Sequence, residues 1–279
     1  METRLIGVEV EVIVAPDRPT VLIGERINPS GRKPLADALK AGNLGLVEQE
    51  ARAQAAEGAD VIDVNVGVVG LDEETILPQA VQVAVEATGL PISIDTSNAA
   101  ALGTALKACP GKPLVNSVNG EEDSLQRVLP LVKEHGAAVI GLVMDEEGVP
   151  KTPERRLEVA EKIVASAVQQ GIARGDVILD PLALSVGADQ QAVLTTLETI
   201  RLIAKELGVN ITLGGSNVSF GLPHRRAVND IFLALAIAAG VTCPIVNPKT
   251  ARRAILITDL LLGRDEFATR YIAYCRQAG

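Results

Sequence analysis

The chain has 279 residues, of which 47% are hydrophobic and only 2% are aromatic, with no tryptophan. This composition allows a large aliphatic core and disfavours an aromatic-centred β-sandwich. The net charge of −9 argues against a nucleic-acid partner, because nucleic-acid binders need a basic face.

Cysteine usage and hydropathy exclude further classes. The three cysteines show no C-x-x-C spacing and only two histidines are present, so we expect no bound metal and a cytoplasmic location. The N-terminal stretch "METRLIGVEVEVIV" interleaves glutamate with apolar residues, unlike the uninterrupted core of a signal peptide. The longest apolar run, "IFLALAIAAGVTCPIV", is broken before it reaches spanning length, so we expect no membrane segment.

In chain order, residues 1–19 form an extension whose alternating stretch "GVEVEVIV" predicts a short β-hairpin at the bottom of the fold. Eight continuous apolar runs follow, and continuous runs are typical of strands buried on both faces. The runs are "TVLIGERIN", "DVIDVNVG", "LPISIDTSN", "KPLVNSVNG", "AAVIGLVMD", "DVILDPLAL", "ITLGGSN" and "CPIVNP".

Amphipathic helices are predicted between these runs. One apolar stripe consists of Leu125, Val128, Leu129 and Val132. Another consists of Val193, Leu197, Ile200, Ala204 and Leu207, and Gly208 follows it as a C′ glycine. Eight strand–helix units predict an α/β protein with a single (β/α)8 barrel over residues 20–265. We expect one domain over 1–279, ending in a helix at 266–279; an open doubly wound sheet is the alternative that the even units disfavour.

Polar side chains stand at the C-terminal ends of the predicted strands, where barrel enzymes place their chemistry. They are Glu25, Asn28, Asp63, Asn65, Asp95, Asn116, Asp180, Asn217 and Asn247. Such residues are also good turn formers and helix caps, which is the alternative interpretation for each one. Caps, however, follow a strand by two to four residues, whereas Asp63, Asp95, Asn116 and Asp180 are embedded in theirs. Together they predict a binding site.

The residue types indicate the ligand. Aspartates and asparagines without lysine or histidine suit a neutral molecule rich in N–H donors, such as an amino-pyrimidine. A phosphorylated substrate would instead want basic groups or a backbone nest near strands seven and eight. Gly215 in "GGSN" could contribute to such a nest, so this alternative stays open.

Six ordered motifs carry a family resemblance over residues 20–265. They are "GERIN", "DVNVG", "IDTSN", "VNSVNG", "LDPL" and "GGSNVSFGLPHR". Together they resemble the pterin-binding methyltransferases, namely the methyltetrahydrofolate:corrinoid methyltransferases and the folate domain of cobalamin-dependent methionine synthase. The barrel should therefore be similar to that of dihydropteroate synthase. The segment "SNVSFG" is the most diagnostic of the motifs.

The resemblance implies roles for the polar residues. Asp95, Asn116 and Asp180 would hold the pterin ring, with Asp63 in support. Asn217 would be the catalytic residue, its amide directed to N5, the nitrogen that bears the methyl group. The same comparison places these further residues in the site: Ser216, Arg225, Glu25, Asn28, Asn65 and Gly215. Arg226, next to Arg225, is the competing candidate for the basic position.

The resemblance further implies methyl transfer between 5-methyltetrahydrofolate and a corrinoid. Neither His135 nor His224 lies in the D-x-H-x-x-G motif of corrinoid modules, so the corrinoid should arrive on a partner protein. A homodimer is also implied. Two alternatives remain: dihydropteroate synthase, disfavoured by "GGSNVSFG" where that enzyme has a basic motif, and a non-catalytic pterin-binding subunit that docks a corrinoid protein.

Overall fold

The computed structural model describes residues 1–278 and contains a two-stranded hairpin and an eight-stranded parallel sheet. The hairpin strands are β1 (Thr3–Ile6) and β2 (Glu11–Val14). The sheet strands are β3 (Ile23–Ile27), β4 (Val61–Val64), β5 (Ile92–Asp95), β6 (Leu114–Asn119), β7 (Ala138–Leu142), β8 (Val177–Asp180), β9 (Asn210–Ile211) and β10 (Ile245–Val246). Each of the eight predicted runs overlaps one sheet strand.

Helices connect the strands on the outside. They are α1 (Lys33–Lys40), α2 (Gly45–Ala56), α3 (Glu73–Thr88), α4 (Ala99–Ala108), α5 (Glu122–His135), α6 (Pro153–Gln169), α7 (Ala192–Leu202), α8 (Arg225–Ala239), α9 (Pro248–Leu261) and α10 (Thr269–Ala278). Of the predicted C-terminal helix, α10 covers the larger part, and Gly279 lies outside the described residues. None of the helices within residues 1–278 has the length and apolar character that a membrane crossing requires.

The sheet closes into a barrel. Its strands are ordered β10-β3-β4-β5-β6-β7-β8-β9, and a parallel bridge between Gly214 and Ile245 joins the two ends. The Gly215 amide donates to the Ile245 carbonyl (3.1 Å), and the Ile245 amide donates to the Leu213 carbonyl (2.9 Å). The predicted (β/α)8 barrel is therefore confirmed, and the alternative of an open sheet is wrong.

Alternation along each strand separates two hydrophobic cores. Ile62, Val115, Val139 and Leu179 pack outward against the helices. Their strand neighbours fill the inside of the barrel: Ile23, Val61, Leu114, Ala138, Ile140 and Ile178. Because side chains alternate along a strand, this assignment fixes which polar residues at the strand ends also face inward.

The N-terminal hairpin covers the bottom of the barrel, as predicted. Leu5, Val12 and Val14 belong to the inner core and are nearly or fully buried. The amide of Asn210, at the start of β9, donates to Thr3 Oγ1 (2.9 Å) and to the Val14 carbonyl (2.9 Å). The hairpin thus seals the end opposite to the strand C-termini, so any ligand must enter from the other end.

The helical stripe of α5 is confirmed, because all four of its predicted residues are buried. The stripe of α7 is partly wrong. The helix continues as a π-helical segment from Ile203 to Leu207, which contains one extra residue per turn. Ile203 is buried and Ala204 is exposed, so Ile203 replaces Ala204 in the apolar stripe, although both positions fit a helical period after Ile200. Gly208 ends the segment at a φ of 63°, in the predicted C′ role.

Candidate functional site

Five polar residues continue the inner face of the barrel at the C-terminal ends of its strands. Each lies two residues after a side chain that faces inward, so it faces the same interior. We call this set the mouth ring: Glu25, Asp63, Asp95, Asn116 and Asp180. The barrel therefore presents its acids and one amide to a common opening, and not to five separate surface turns.

Asp63 forms the floor of the mouth ring. Its side chain is 3% exposed, and its Oδ1 accepts hydrogen bonds from Ser93 Oγ (2.6 Å) and Asn116 Nδ2 (3.1 Å). Burial, followed by the charge of Asp95, raises the pKa of Asp63 well above its ordinary value. Because Asn116 Nδ2 donates to Asp63, the orientation of the Asn116 carboxamide is fixed. Its oxygen, Asn116 Oδ1, therefore faces away from Asp63.

In the register of β5 and β6, Asp95 lies opposite Asn116. Asp63 lies opposite Ser93, so Asp95 is two residues closer to the C-terminal end of the sheet than Asp63. Burial raises its pKa to about 6, with the Asn65 side chain opposing and Glu73 adding to the shift. Asn65 Oδ1 accepts the Gly67 amide (2.8 Å), which leaves the Asn65 amide nitrogen to meet Asp95. Asp95 and Asn116 line a cleft of about 230 Å³ together with Thr96 and Ser117.

Asp180 ends β8 on the far side of β7 from Asn116. It is 6% exposed, and its Oδ1 accepts the amide of Leu182 at 2.7 Å. Burial raises the pKa of Asp180 to about 7, against the Leu182 hydrogen bond and the positive charge of Arg156. Within residues 1–278 no hydrogen bond joins Asp180 to Asp63, Asp95 or Asn116, so only the shared inner face unites them.

Glu25 links β3 to the segment after β9. Ser216 Oγ donates to Glu25 Oε1 (3.2 Å), and Arg225 Nη2 donates to the Ser216 carbonyl (2.8 Å). Burial raises the pKa of Glu25, and the charge of Glu25 contributes to the raised pKa of Asp63. Glu25, Gly215, Ser216 and Arg225 line a second cleft of about 290 Å³.

The two adjacent arginines differ in their contacts. Arg225 Nε also donates to Ser219 Oγ (3.0 Å), and its guanidinium lies 5.9 Å from the centre of the Phe220 ring. Arg226 instead lies 3.9 Å from Asp230 along α8. Arg225 is therefore the arginine that holds the segment after β9.

Asn217 is exposed at the start of a short 3-10 helix, Asn217–Ser219, in the segment between β9 and α8. Its amide lies against Gly214, where a Cβ would stand 2.9 Å from Asn217 Nδ2. Any side chain at position 214 would displace this amide. Gly214 therefore has a local purpose, which is to leave room for the Asn217 carboxamide.

Two of the polar residues at strand ends serve turns and caps. Asn28 Oδ1 accepts the Ser30 amide (2.9 Å), and Asn247 Oδ1 accepts the Lys249 amide (3.1 Å) as the N-cap of α9. The alternative interpretation as turn formers describes both residues. Asn247 also lines the cleft of about 290 Å³ that Glu25 lines.

The sequence interpretation missed two residues of this site. Ser93 is fully buried beneath Asp63, and the inward alternation of "ISID" was the signal for it. Arg156 is also buried and lies close enough to lower the pKa of Asp180. The stretch "PERRLE" does not distinguish Arg156 from the charged residues beside it. The carbonyls that Arg156 contacts lie on other elements, so this contact leaves no local pattern in the sequence.

Comparison with known proteins defines the class. A family model described as "Pterin binding enzyme" matches residues 24–247, and the chain belongs to this family. The match confirms the resemblance that the six motifs carry.

Two relatives and one group of solved structures are informative. The chain is 29% identical over 265 residues to the methylcorrinoid:tetrahydrofolate methyltransferase of Eubacterium limosum, covering 92% of this chain and 96% of that protein. It is 32% identical over 246 residues to the methionine synthase of Mycobacterium tuberculosis, covering 84% of this chain but 21% of that much longer protein. Dihydropteroate synthase of Yersinia pestis has the same fold, with a TM-score of 0.69, 17% identity and coverage of 94% and 100%.

Proposed function

We propose that the protein moves the N5-methyl group between methyltetrahydrofolate and the cobalt of a corrinoid carried by a partner protein. The observation that carries this proposal is the mouth ring at the open end of a closed barrel. The similarity to the Eubacterium limosum methyltransferase over nearly both full lengths supports the reaction. The dihydropteroate synthase structures support the fold alone.

The mouth ring fits a reduced pterin by its chemistry. A pterin edge offers several N–H donors, and a carboxylate accepts two such bonds side by side. Burial is the largest cause that raises the pKa values of Asp95 and Asp180, to about 6 and about 7. A ligand that donates hydrogen bonds would replace the lost solvation of both carboxylates, which is a large source of affinity. Asn116 adds an acceptor whose orientation Asp63 sets.

The residues after β9 act on the reacting nitrogen. The docked corrinoid supplies the low-valent cobalt that exchanges the methyl group, and this chain's residues act on the folate. As the bond between N5 and the methyl carbon breaks, negative charge develops on N5. The amide of Asn217 donates a hydrogen bond to N5 and stabilises this charge without becoming charged itself. Ser216 and Arg225 hold the segment that presents Asn217.

We also propose the assembly that the resemblance implies: one domain that forms a cytoplasmic homodimer and docks its corrinoid protein over the mouth. Exposed apolar side chains on adjacent helices support a second copy. Leu194 on α7 is 61% exposed, and Ile231 and Leu235 on α8 are 65% and 49% exposed. Analytical ultracentrifugation of the wild type and of Ile231→Glu measures this directly, and a monomeric wild type would contradict it.

The test of function is to mix the protein with methyltetrahydrofolate and reduced free cobalamin and follow the absorbance of methylcobalamin. Catalysed appearance of methylcobalamin supports the proposal. Tight folate binding without turnover would indicate a pterin-binding subunit instead. A parallel reaction with 4-aminobenzoate and a dihydropterin diphosphate tests the synthase alternative, and formation of dihydropteroate there would overturn the proposal.

A further inference from the structure

Arg156 is the most deeply buried charged side chain near the mouth. It projects from the first turn of α6 and is 1% exposed. Burying a guanidinium is costly unless every N–H finds a partner, so its contacts should reveal its purpose.

The guanidinium of Arg156 donates hydrogen bonds to backbone carbonyls, two of which lie in the turn after β8. Nη1 donates to the carbonyls of Pro181 (2.8 Å) and Leu182 (3.2 Å), and Nε donates to the Pro150 carbonyl (2.8 Å). Thr196 on α7 completes the arrangement: its Oγ1 accepts from Nη1 (3.4 Å) and lies 3.3 Å from the Leu182 carbonyl. Arg156 thus ties α6 and α7 to the two residues that follow Asp180.

The turn that Arg156 holds has an unfavourable backbone. Leu182 has a φ of 63°, a left-handed conformation that leucine rarely adopts. In the same turn, the Leu182 amide donates to Asp180 Oδ1 at 2.7 Å. One carboxylate oxygen is therefore fixed by the turn, which leaves the other for the barrel mouth.

We propose that Arg156 is a positioning residue for Asp180: it holds the Pro181–Leu182 turn whose amide orients the carboxylate, and it places a positive charge behind it. This inference rests on the proposed function, in which Asp180 binds the pterin. Arg156 itself touches no substrate.

The charge has a consequence for pH. Arg156 lowers the pKa of Asp180, which burial has raised to about 7. Within residues 1–278 no charged group other than Arg156 contributes to this shift. β7 places Leu142 opposite Asp180, β9 carries Asn210 and Ile211, and the Cys243 thiol has a pKa of about 12 and is neutral. Loss of Arg156 therefore raises the pKa of Asp180 further, so that the carboxylate forms only at higher pH.

The experiment compares Arg156→Met, Arg156→Lys and the control Arg201→Met, which removes an exposed cation on α7 that pairs with Glu198. Calorimetry gives the Kd for methyltetrahydrofolate between about pH 5.5 and 9. We expect Arg156→Met to bind about tenfold more weakly at pH 7 and to move the midpoint of the pH profile upward. Arg156→Lys keeps the positive charge but loses the several N–H donors of the guanidinium. The midpoint of its pH profile should therefore match the wild type, and its folate affinity should fall about threefold at every pH. Arg201→Met should match the wild type.

A ligand-free measurement separates this inference from the proposed function. Carbon-13 NMR of the Asp180 carboxyl follows its titration directly, and Arg156→Met should shift that titration to higher pH. Equal titrations in Arg156→Met and the wild type would overturn the inference even if folate binds. Failure of the wild type to bind folate would overturn the function instead. If Arg156→Met does not fold, Arg156→Lys and Thr196→Val decide, and unchanged folate affinity in both contradicts the positioning role.

Discussion

Replacing Asp180 by asparagine should stabilise the fold at alkaline pH while it removes pterin binding. The carboxyl is 6% exposed, and burial raises its pKa from an ordinary value of 3.8 to about 7. A raised pKa means that the folded state prefers the protonated acid. The stabilisation is complete below the unfolded pKa and is lost as the pH rises from 3.8 through about 7. Asparagine has the same shape and no charge to bury.

The magnitude follows from the width of this window. One pKa unit corresponds to about 1.4 kcal/mol, so between about pH 4.5 and 7 the wild type loses at most about 3 kcal/mol that Asp180→Asn keeps. Asp63, Asp95 and Glu25 titrate in both proteins, so the difference between the two isolates Asp180. Arg156 loses its counter-charge in the variant, which reduces the gain.

Urea unfolding at about pH 4.5 and 8.5 measures the effect. At each pH, the free energy of unfolding of the wild type is subtracted from that of Asp180→Asn. This difference should be larger at pH 8.5 than at pH 4.5, by about 1–3 kcal/mol. The control Asp123→Asn changes an acid whose side chain is 73% exposed and should show no such pH-dependent difference. A stability difference between Asp180→Asn and the wild type that is the same at pH 4.5 and 8.5 would refute the argument that this carboxylate is buried at a cost.

Two further predictions concern the other side of the mouth. Asn217→Ala should reduce kcat by about 10²–10³-fold and change the Kd for methyltetrahydrofolate by less than about threefold, because the hydrogen bond to N5 strengthens only as the bond breaks. Stopped-flow assays check this against the control Asn43→Ala, which changes an exposed asparagine between α1 and α2. Equal losses in kcat and in folate affinity would contradict the role. Ser93→Ala removes the 2.6 Å hydrogen bond to Asp63 and should raise the Asp63 pKa further, costing about 1–3 kcal/mol of stability at neutral pH and weakening folate binding. Thermal unfolding and calorimetry measure both effects, and a Ser93→Ala protein with wild-type stability and affinity would show that the Ser93 hydrogen bond does not support Asp63.

The fold was largely predictable because its signal is local. Each barrel strand is a short apolar run between polar junctions, and eight such runs admit few arrangements other than a closed barrel. The exception is the end of α7. Ile203 and Ala204 are the third and fourth residues after Ile200, so a helical period allows either one to be buried, and packing in the outer core selects Ile203.

The candidate site was predictable to the extent that strand alternation determines direction. Asp95 and Asn116 could be placed at the mouth because each ends an apolar run, and Asn28 and Asn247 satisfied the same rule yet serve turns. Contacts between distant segments carried no sequence signal. Ser216 reaches Glu25 only because the barrel closes, and Arg156 acts through carbonyls whose positions depend on the turn after β8.

The central claim is that the mouth ring and Asn217 form one binding surface for a reduced folate. A crystal structure of the protein with methyltetrahydrofolate tests this most directly. We expect the pterin edge within hydrogen-bond distance of Asp95, Asn116 and Asp180, and N5 next to the Asn217 amide. A folate bound outside the barrel, or a pterin ring that leaves these side chains without contact, would contradict it.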